Sequence, residues 1–569
     1  MNALRNVPLK RNVFLKAASL VLCLGAALFP SVGCTPLKDV PTTHIVMVNG
    51  RGNPVDPTGN ILCRGKPETC RKPNGESYHM WGFPVEYRQM GRTSSPPASS
   101  SPASAGLTGQ TPNSYDTYLK ALFDDLLKKA PTKNGKRQIL IFVHGGLNTQ
   151  VGTVERAREL MQEIPQEDYY PIFINWQSSL FSSYADHLFH VRQGISWDGW
   201  EMVTIPVFVP LYFVADVTRA VARAPLVWVF LGWNWVKSVG NTDALAEANA
   251  IAKELEEEYA RKRSDDVLKM AYSPLDQRKP LDAALAHTTA TLSIPTKLVG
   301  SMIIDAFGKS AWEIMLRRTH MLYHTEREFF ESQKVAIDQR LQVPNTSEAP
   351  TPHIKPDGGL SAFMRELQRL VDQEGGREAW DITLVGHSMG TIVLNQMIRE
   401  FGLKTMDSPE GKSVTTGAAL PFNHIVYMAG AATVRNYQDS VFPYLRENRN
   451  AKIFHLVLHP KAEVRERFDP GIPYADLPPR GSLLVWVDDF LSAPETPLDR
   501  TVGRFENLLQ AVHTTPDDLR GRVHIKAFGV GGNVKAPQKH GDFTEGFKFW
   551  RPACWWSPGP EPAPDCYDP

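Results

Sequence analysis

Apolar residues in this chain fall into two kinds of segment, and the order of those segments predicts the architecture. Short, nearly unbroken apolar runs occur at Gln138–Val143, Tyr170–Asn175 and Asp381–Val385, with further strand-like stretches at 44–49, 79–88, 424–429, 452–458 and 522–528. Runs of this length without a polar face suit strands covered on both sides, as in a parallel sheet. Between them, apolar residues recur at helical spacing in Tyr115–Lys129, Val154–Glu163, Gly359–Gln373 and Thr391–Phe401. Strand alternating with helix predicts an α/β fold with a mostly parallel central sheet.

The alternation stops between about 181 and 354. Almost no strand-like pattern stands out there, and residues 244–263 and 311–342 carry the charged, amphipathic pattern of helices. The expectation is a large, mainly helical insertion at 181–354 that divides one core into residues 34–180 and 355–550, followed by a Pro-rich tail at 551–569. Residues 93–114, dominated by Ser, Pro, Ala, Gly and Thr, read as a flexible loop. Inside the insertion, Val203–Val214 and Pro225–Val236 are uncharged runs of 12 residues each, separated by Asp216, Arg219 and Arg223. Trp176, Trp197, Trp200, Trp228, Trp233 and Trp235 cluster around them. Both runs are shorter than the ~20 residues that span a bilayer. They predict either the buried core of a cap or a lipid-facing surface.

Composition narrows the class. The 569 residues include 62 basic and 61 acidic side chains, for a formal net charge of +1, and 42% are hydrophobic. That apolar content suits a packed globular protein and argues against disorder or a multi-span membrane protein. The balanced charge provides no overall attraction to nucleic acid.

At the N-terminus, Arg5, Lys10, Arg11 and Lys16 precede the uncharged stretch Ala17–Phe29, whose 13 residues fit a secretory signal. Ser31-Val32-Gly33-Cys34 follows and resembles a bacterial lipobox, with Ser31 where leucine is usual. The resemblance implies that residues 1–33 are an export signal and that Cys34 carries a lipid anchoring the chain in the bacterial cell envelope. The alternative is an ordinary cleaved signal. Apart from Cys23 and Cys34, the cysteines form two close pairs, Cys63 with Cys70 and Cys554 with Cys566. In an exported chain such pairs read as disulfides. There is no CxxC or HExxH motif, so no metal site is expected.

Gly386-His387-Ser388-Met389-Gly390 joins the apolar strand ending at Val385 to the helix pattern Thr391–Phe401. A strand-to-helix turn this sharp needs small residues on both sides of the serine, and it holds the Ser388 hydroxyl above the sheet at a helix N-terminus. With this motif the chain resembles the serine esterases and lipases of the α/β-hydrolase superfamily, over roughly residues 43–180 and 355–550. A second matching motif is His144-Gly145-Gly146-Leu147-Asn148 after the strand ending at Val143. The resemblance implies that Gly146 N–H and Met389 N–H form the oxyanion hole.

A serine nucleophile requires a base. By resemblance it follows the last strand, which points to His540 in His540-Gly541-Asp542-Phe543, rather than to His524 inside that strand or His513 before it. The orienting acid belongs after strand 452–458. Glu463 is the first carboxylate there, and Asp469, Asp476 and Asp439 are alternatives. His144 and Ser388 lie 244 residues apart, farther than in simple relatives, so the insertion forms a cap over the site.

The expected function is hydrolysis of carboxylic esters through an acyl-enzyme, with no cofactor. The implied partners are an ester or acyl-lipid substrate and a membrane met through the anchor, with the cap as a second candidate contact. The same machinery suits a thioesterase or acyltransferase, and a non-catalytic surface-anchored binding protein is the reading from another class.

Overall fold

The computed structural model describes residues 41–57, 61–62, 114–192, 195–196, 205–239, 269–272, 294–325, 358–407, 413–415, 419–466, 479–529, 536–555 and 566–567. The expectations for the export signal, Cys34, Cys63 with Cys70, a strand at 79–88, the loop up to residue 113 and a helix at 244–263 lie outside these residues.

The first half of the core contains β1 (Ile45–Val48), β2 (Pro54–Val55), α1 (Tyr115–Lys129), β3 (Thr132–Lys133), β4 (Lys136–Val143), α2 (Gln150–Glu163) and β5 (Tyr170–Trp176). The insertion contributes α3 (Leu180–Ala185), β6 (Val191–Arg192), β7 (Ile195–Ser196), α4 (Ile205–Val239), β8 (Lys269–Tyr272) and α5 (Ile294–Met321). The second half begins with α6 (Gly359–Gln373), β9 (Trp380–His387), α7 (Gly390–Met397), β10 (Thr405–Asp407) and β11 (Ser413–Thr415). It continues through β12 (Phe422–Met428), α8 (Val434–Glu447), β13 (Lys452–Leu458), α9 (Pro460–Arg465) and α10 (Leu483–Trp486). It ends with α11 (Phe505–His513), β14 (Val523–Phe528) and α12 (Pro552–Trp555).

One ten-stranded sheet runs β2-β1-β5-β4-β9-β12-β13-β14-β8, with β3 hairpinned onto β4. The pairings β1/β2 and β3/β4 are antiparallel, and the rest of the sheet is parallel. Ile139 to Val143 of β4 are at most 4% exposed, which is why that run has no polar face. Helices flank the sheet. In α1 the buried residues Tyr115, Tyr118, Leu119, Leu122, Phe123 and Leu126 form one face. Phe123 stacks on Phe363 of α6 at 5.5 Å, and the Tyr118 hydroxyl donates to Ile45 O over 2.6 Å. At about 1.5–3 kcal/mol per fully buried large side chain, that face contributes on the order of 10 kcal/mol.

The chain moves outward from β4 to β5, then returns to place β9 on the other side of β4, so the carboxyl ends of β4 and β9 lie side by side, Val143 opposite Gly386. Such a reversal opens a crevice at the strand ends, where ligands bind in open α/β sheets.

The mainly helical segment between β5 and β9 also holds short strands: Lys269–Tyr272 pairs in parallel with β14 at the sheet edge, and β6 and β7 pair antiparallel. A four-residue strand is too short to show a period. The described residues of the two apolar runs belong to one helix, α4, with Pro210 and Pro225 inside it. Of the two readings of these runs, a wholly buried core is excluded: Leu211, Val214, Val229 and Trp233 are 52–67% exposed. At the other end of the chain, Cys554 and Cys566 are joined in a disulfide. Trp555 packs on Phe454 at 5.3 Å, so the described part of the tail is built into the core.

Candidate active site

Ser388 occupies the turn between β9 and α7 with φ of +51°. A left-handed conformation at a non-glycine residue costs on the order of 1–3 kcal/mol and persists only where surrounding bonds hold it. Here Ser388 N–H donates to Met428 O (2.9 Å), and its carbonyl accepts from Ala431 N (3.0 Å) and Thr391 N (3.1 Å). The Thr391 hydroxyl adds a bond of 2.8 Å to the same carbonyl. Gly390 passes so close to Val143 O that a Cβ there would overlap it, which locks α7 against β4. The Ser388 hydroxyl is buried and has no hydrogen-bond partner among the described residues.

The turn after β4 lies against this elbow. A Cβ on Gly145 would fall 2.9 Å from both His387 Nδ1 and Ser388 Cβ, and one on Gly146 would fall 2.5 Å from Met389 Sδ. Asn148 Nδ2 donates to the carbonyls of Gly145 (3.1 Å) and Gly146 (3.2 Å). Neither Gly146 N–H nor Met389 N–H makes a hydrogen bond among the described residues. Trp176 N–H donates to His144 Nε2 over 3.1 Å. His144 therefore carries its proton on Nδ1 and donates it to Gly145 O at 2.7 Å. Burial lowers the His144 pKa to about 4, so the ring is neutral.

His540 opens a short 3-10 turn, His540–Thr544, in the segment after β14. Both of its backbone polar groups are held. Its N–H donates to Glu466 Oε2 at 2.9 Å, and its carbonyl accepts from His387 Nε2 at 3.0 Å. The two histidine rings lie 4.9 Å apart. Burial holds His387 at about 4. Burial, with His387 adding to it, holds His540 well below the ordinary histidine range. Neither His540 ring nitrogen has a hydrogen-bond partner among the described residues. The described residues thus present an unpartnered serine hydroxyl, an unpartnered neutral imidazole and two unpartnered amides at one pair of strand ends.

The carboxylates are arranged differently from the expectation. Glu463 does not hydrogen-bond to His540. It is buried on α9 and bonded by the Ser482 hydroxyl, and burial pushes its pKa up to about 8. Glu466, one turn further on, is the carboxylate that touches His540, through the backbone, and burial raises it to about 7. Asp439 is exposed on α8, and Asp469 and Asp476 lie outside the described residues. His524 stacks on Phe454 inside β14 at 4.8 Å, and His513 is exposed at the end of α11. Glu466 carries no local sequence signal, because its role depends on where the His540 turn lands in space.

A cavity of about 420 Å³ adjoins this constellation, with His387, His540, Gly145 and Gly146 at one end and Phe142 and Phe173 among its apolar walls. Ser388, 1% exposed, does not line it. Among the described residues no cluster of three or more His, Cys, Asp or Glu is placed to hold a metal ion. Comparison of the chain with models of protein families, with curated proteins and with solved structures finds no match.

Proposed function

We propose that this protein is a serine hydrolase of the α/β-hydrolase kind that cleaves carboxylic esters. The observation that carries the reading is Ser388, held at φ +51° between a parallel strand and a helix with its hydroxyl unpartnered. The sheet order β1-β5-β4-β9-β12-β13-β14 and the reversal beside β4 support it.

In this reading Ser388 Oγ attacks the acyl carbonyl while His540 takes the hydroxyl proton. The C–O bond to the alcohol breaks as His540 returns that proton to the leaving oxygen. Water then attacks the acyl-enzyme, again giving a proton to His540, and releases the acid and free Ser388. The Gly146 and Met389 amides stabilise the oxyanion of both tetrahedral intermediates, at about 3 kcal/mol per donor. His540 enters as the neutral base that the first step needs, because burial keeps its proton off. Glu466 and His387 position the histidine by its backbone, leaving the ring free to turn toward Ser388. A carboxylate orienting that ring would come from the segment after β13, which holds Glu463, Asp469 and Asp476. The cavity's apolar walls suit an acyl group. The N-terminal pattern supports work at the bacterial cell envelope, with Cys34 as the lipid attachment point.

A fluorophosphonate probe tests this reading. Wild type is expected to be labelled and Ser388→Ala not, with p-nitrophenyl ester hydrolysis falling by at least about 10³-fold in the variant. Long-chain esters compared with acyl thioesters separate esterase from thioesterase. A non-catalytic binding role is favoured by one observation, the lack of a hydrogen bond from Ser388 to His540. Failure of folded wild type to react with the probe would overturn the catalytic reading.

A further inference from the structure

Helices α4 and α5 have their polarity reversed relative to a water-exposed pair. From Leu211 to Val236 of α4, every exposed residue is uncharged, and the buried or half-buried positions hold Asp216, Arg219, Arg223 and Asn234. The first half of α5 repeats this: Lys297, Ser301 and Asp305 are buried on one face, while Ile294, Val299 and Ile303 are 38–57% exposed.

The polar groups are spent on one another or on the core. Arg223 pairs with Asp305 at 2.5 Å and Arg219 with Asp216 at 3.1 Å. Ser310 Oγ donates to Asp216 at 2.9 Å. Asn234 reaches Asp489 at 2.7 Å, and Arg223 also donates to Phe490 O at 3.2 Å. No charged side chain among the described residues 211–236 faces outward.

We infer that the outward face of the α4–α5 pair seats in the apolar layer of a lipid bilayer. Three features point to lipid rather than to a protein groove. At 100° per residue, the exposed apolar positions of α4 cover roughly half its circumference, wider than the stripe a helix contact needs. The tryptophans lie toward one end: Trp228, Trp233 and Trp235 are 38–60% exposed, while the preceding turns expose Leu and Val. Trp concentrates at the boundary between headgroups and acyl chains, and Leu and Val lie deeper. Charged and hydrogen-bonding groups turned inward are what an apolar medium requires, because it cannot solvate them. No helix among the described residues is long and apolar enough to cross a membrane, so the pair lies in one leaflet with its apolar side down. This inference does not depend on the hydrolytic reading.

The test uses the chain from residue 34 onward with Cys34→Ser, so that neither the export signal nor a lipid anchor contributes. The probe is vesicles of phosphatidylethanolamine and phosphatidylglycerol, half of them with brominated acyl chains. The protein is expected to float with the vesicles in 0.5 M NaCl, and the brominated lipid should quench tryptophan fluorescence. Trp233→Phe combined with Trp235→Phe should reduce that quenching. Leu226→Asp combined with Val229→Asp should lower the bound fraction at least ten-fold with the circular dichroism spectrum unchanged. Recovery of Cys34→Ser only in the soluble fraction overturns the inference. So does flotation abolished by salt, or a dimer in solution that Val229→Asp dissolves without any vesicle binding. Ser388→Ala should bind vesicles as wild type does, which separates this result from the catalytic one.

Discussion

Helices α1 and α4 each carry both apolar and charged residues, sparser charges in α4, and orient them in opposite ways. In α1, Leu122 and Leu126 are completely buried, and Lys120 pairs with Asp124 at 2.7 Å on the water side. In α4, Asp216 is 3% exposed and Val229 is 67% exposed. Leaving a large apolar side chain in water forfeits about 1.5–3 kcal/mol, and burying an ion pair gains little over an apolar pair of the same shape. A helix that does both is therefore poorly matched to water on each count. The comparison teaches that the sign of an amphipathic pattern is set by the medium around it, whereas the period is set by the helix.

The largest expected effect comes from the inward charges of α4 and α5. Asp305→Ala leaves Arg223 without its carboxylate and should cost about 3–5 kcal/mol, measured by thermal unfolding. Replacing both residues with leucine should recover most of that loss. A small effect of Asp305→Ala alone would mean that water reaches the pair, and the contrast with α1 would fail.

Next come truncations of apolar residues on either side of the comparison. Ile141→Ala in β4 should cost about 2–5 kcal/mol in denaturant unfolding without lipid, and Leu226→Ala in α4 less than about 0.5 kcal/mol. Equal costs would show that the α4 face is covered in solution.

A pH dependence follows from Glu463. Its pKa, about 8 in the folded state, is raised above the ordinary carboxyl value. The proton it keeps on folding stabilises the protein fully below about pH 4, and that contribution is lost as pH rises through 8. Glu463→Gln carries no such loss, so its unfolding free energy should gain on wild type between pH 5 and pH 8, by up to about 1.4 kcal/mol per pH unit. A constant deficit over that range would mark Glu463 as an ionised partner of His540.

A smaller gain than the core losses is expected at the elbow itself. Ser388→Gly should raise stability by about 1 kcal/mol, because glycine adopts the left-handed conformation without strain, while probe labelling disappears. A loss of stability would mean that the Ser388 side chain packs more favourably than its backbone is strained.

Much of the core was legible because its signals are local. Tyr115–Lys129 and Gly359–Gln373 form helices over the predicted residues, and 452–458 forms a strand, because burial on one or both faces imposes a period on consecutive side chains. Helix α2 begins at Gln150, four residues before the predicted start, since its cap is a Thr149 hydroxyl accepting from Gly152 N at 3.1 Å and not an apolar position. The strand at 269–272 exists because β14 offers it an edge, which no feature of its four residues announces.

The same division holds at the candidate site. The Gly386–Gly390 turn and the His144–Asn148 turn were readable because a tight strand-to-helix connection restricts residue type within a few positions. Tertiary structure decided that Glu466 rather than Glu463 meets His540, and that it does so at the backbone. It also decided that His387 ties the two halves of the site together and that Asp216 and Asp305 face inward while Val229 faces out. Periodicity and turn chemistry act between neighbours along the chain, so residue order alone determines them. Which carboxylate reaches a histidine 74 residues away, and which side of a helix meets its partner, depend on contacts that exist only once the sheet has assembled.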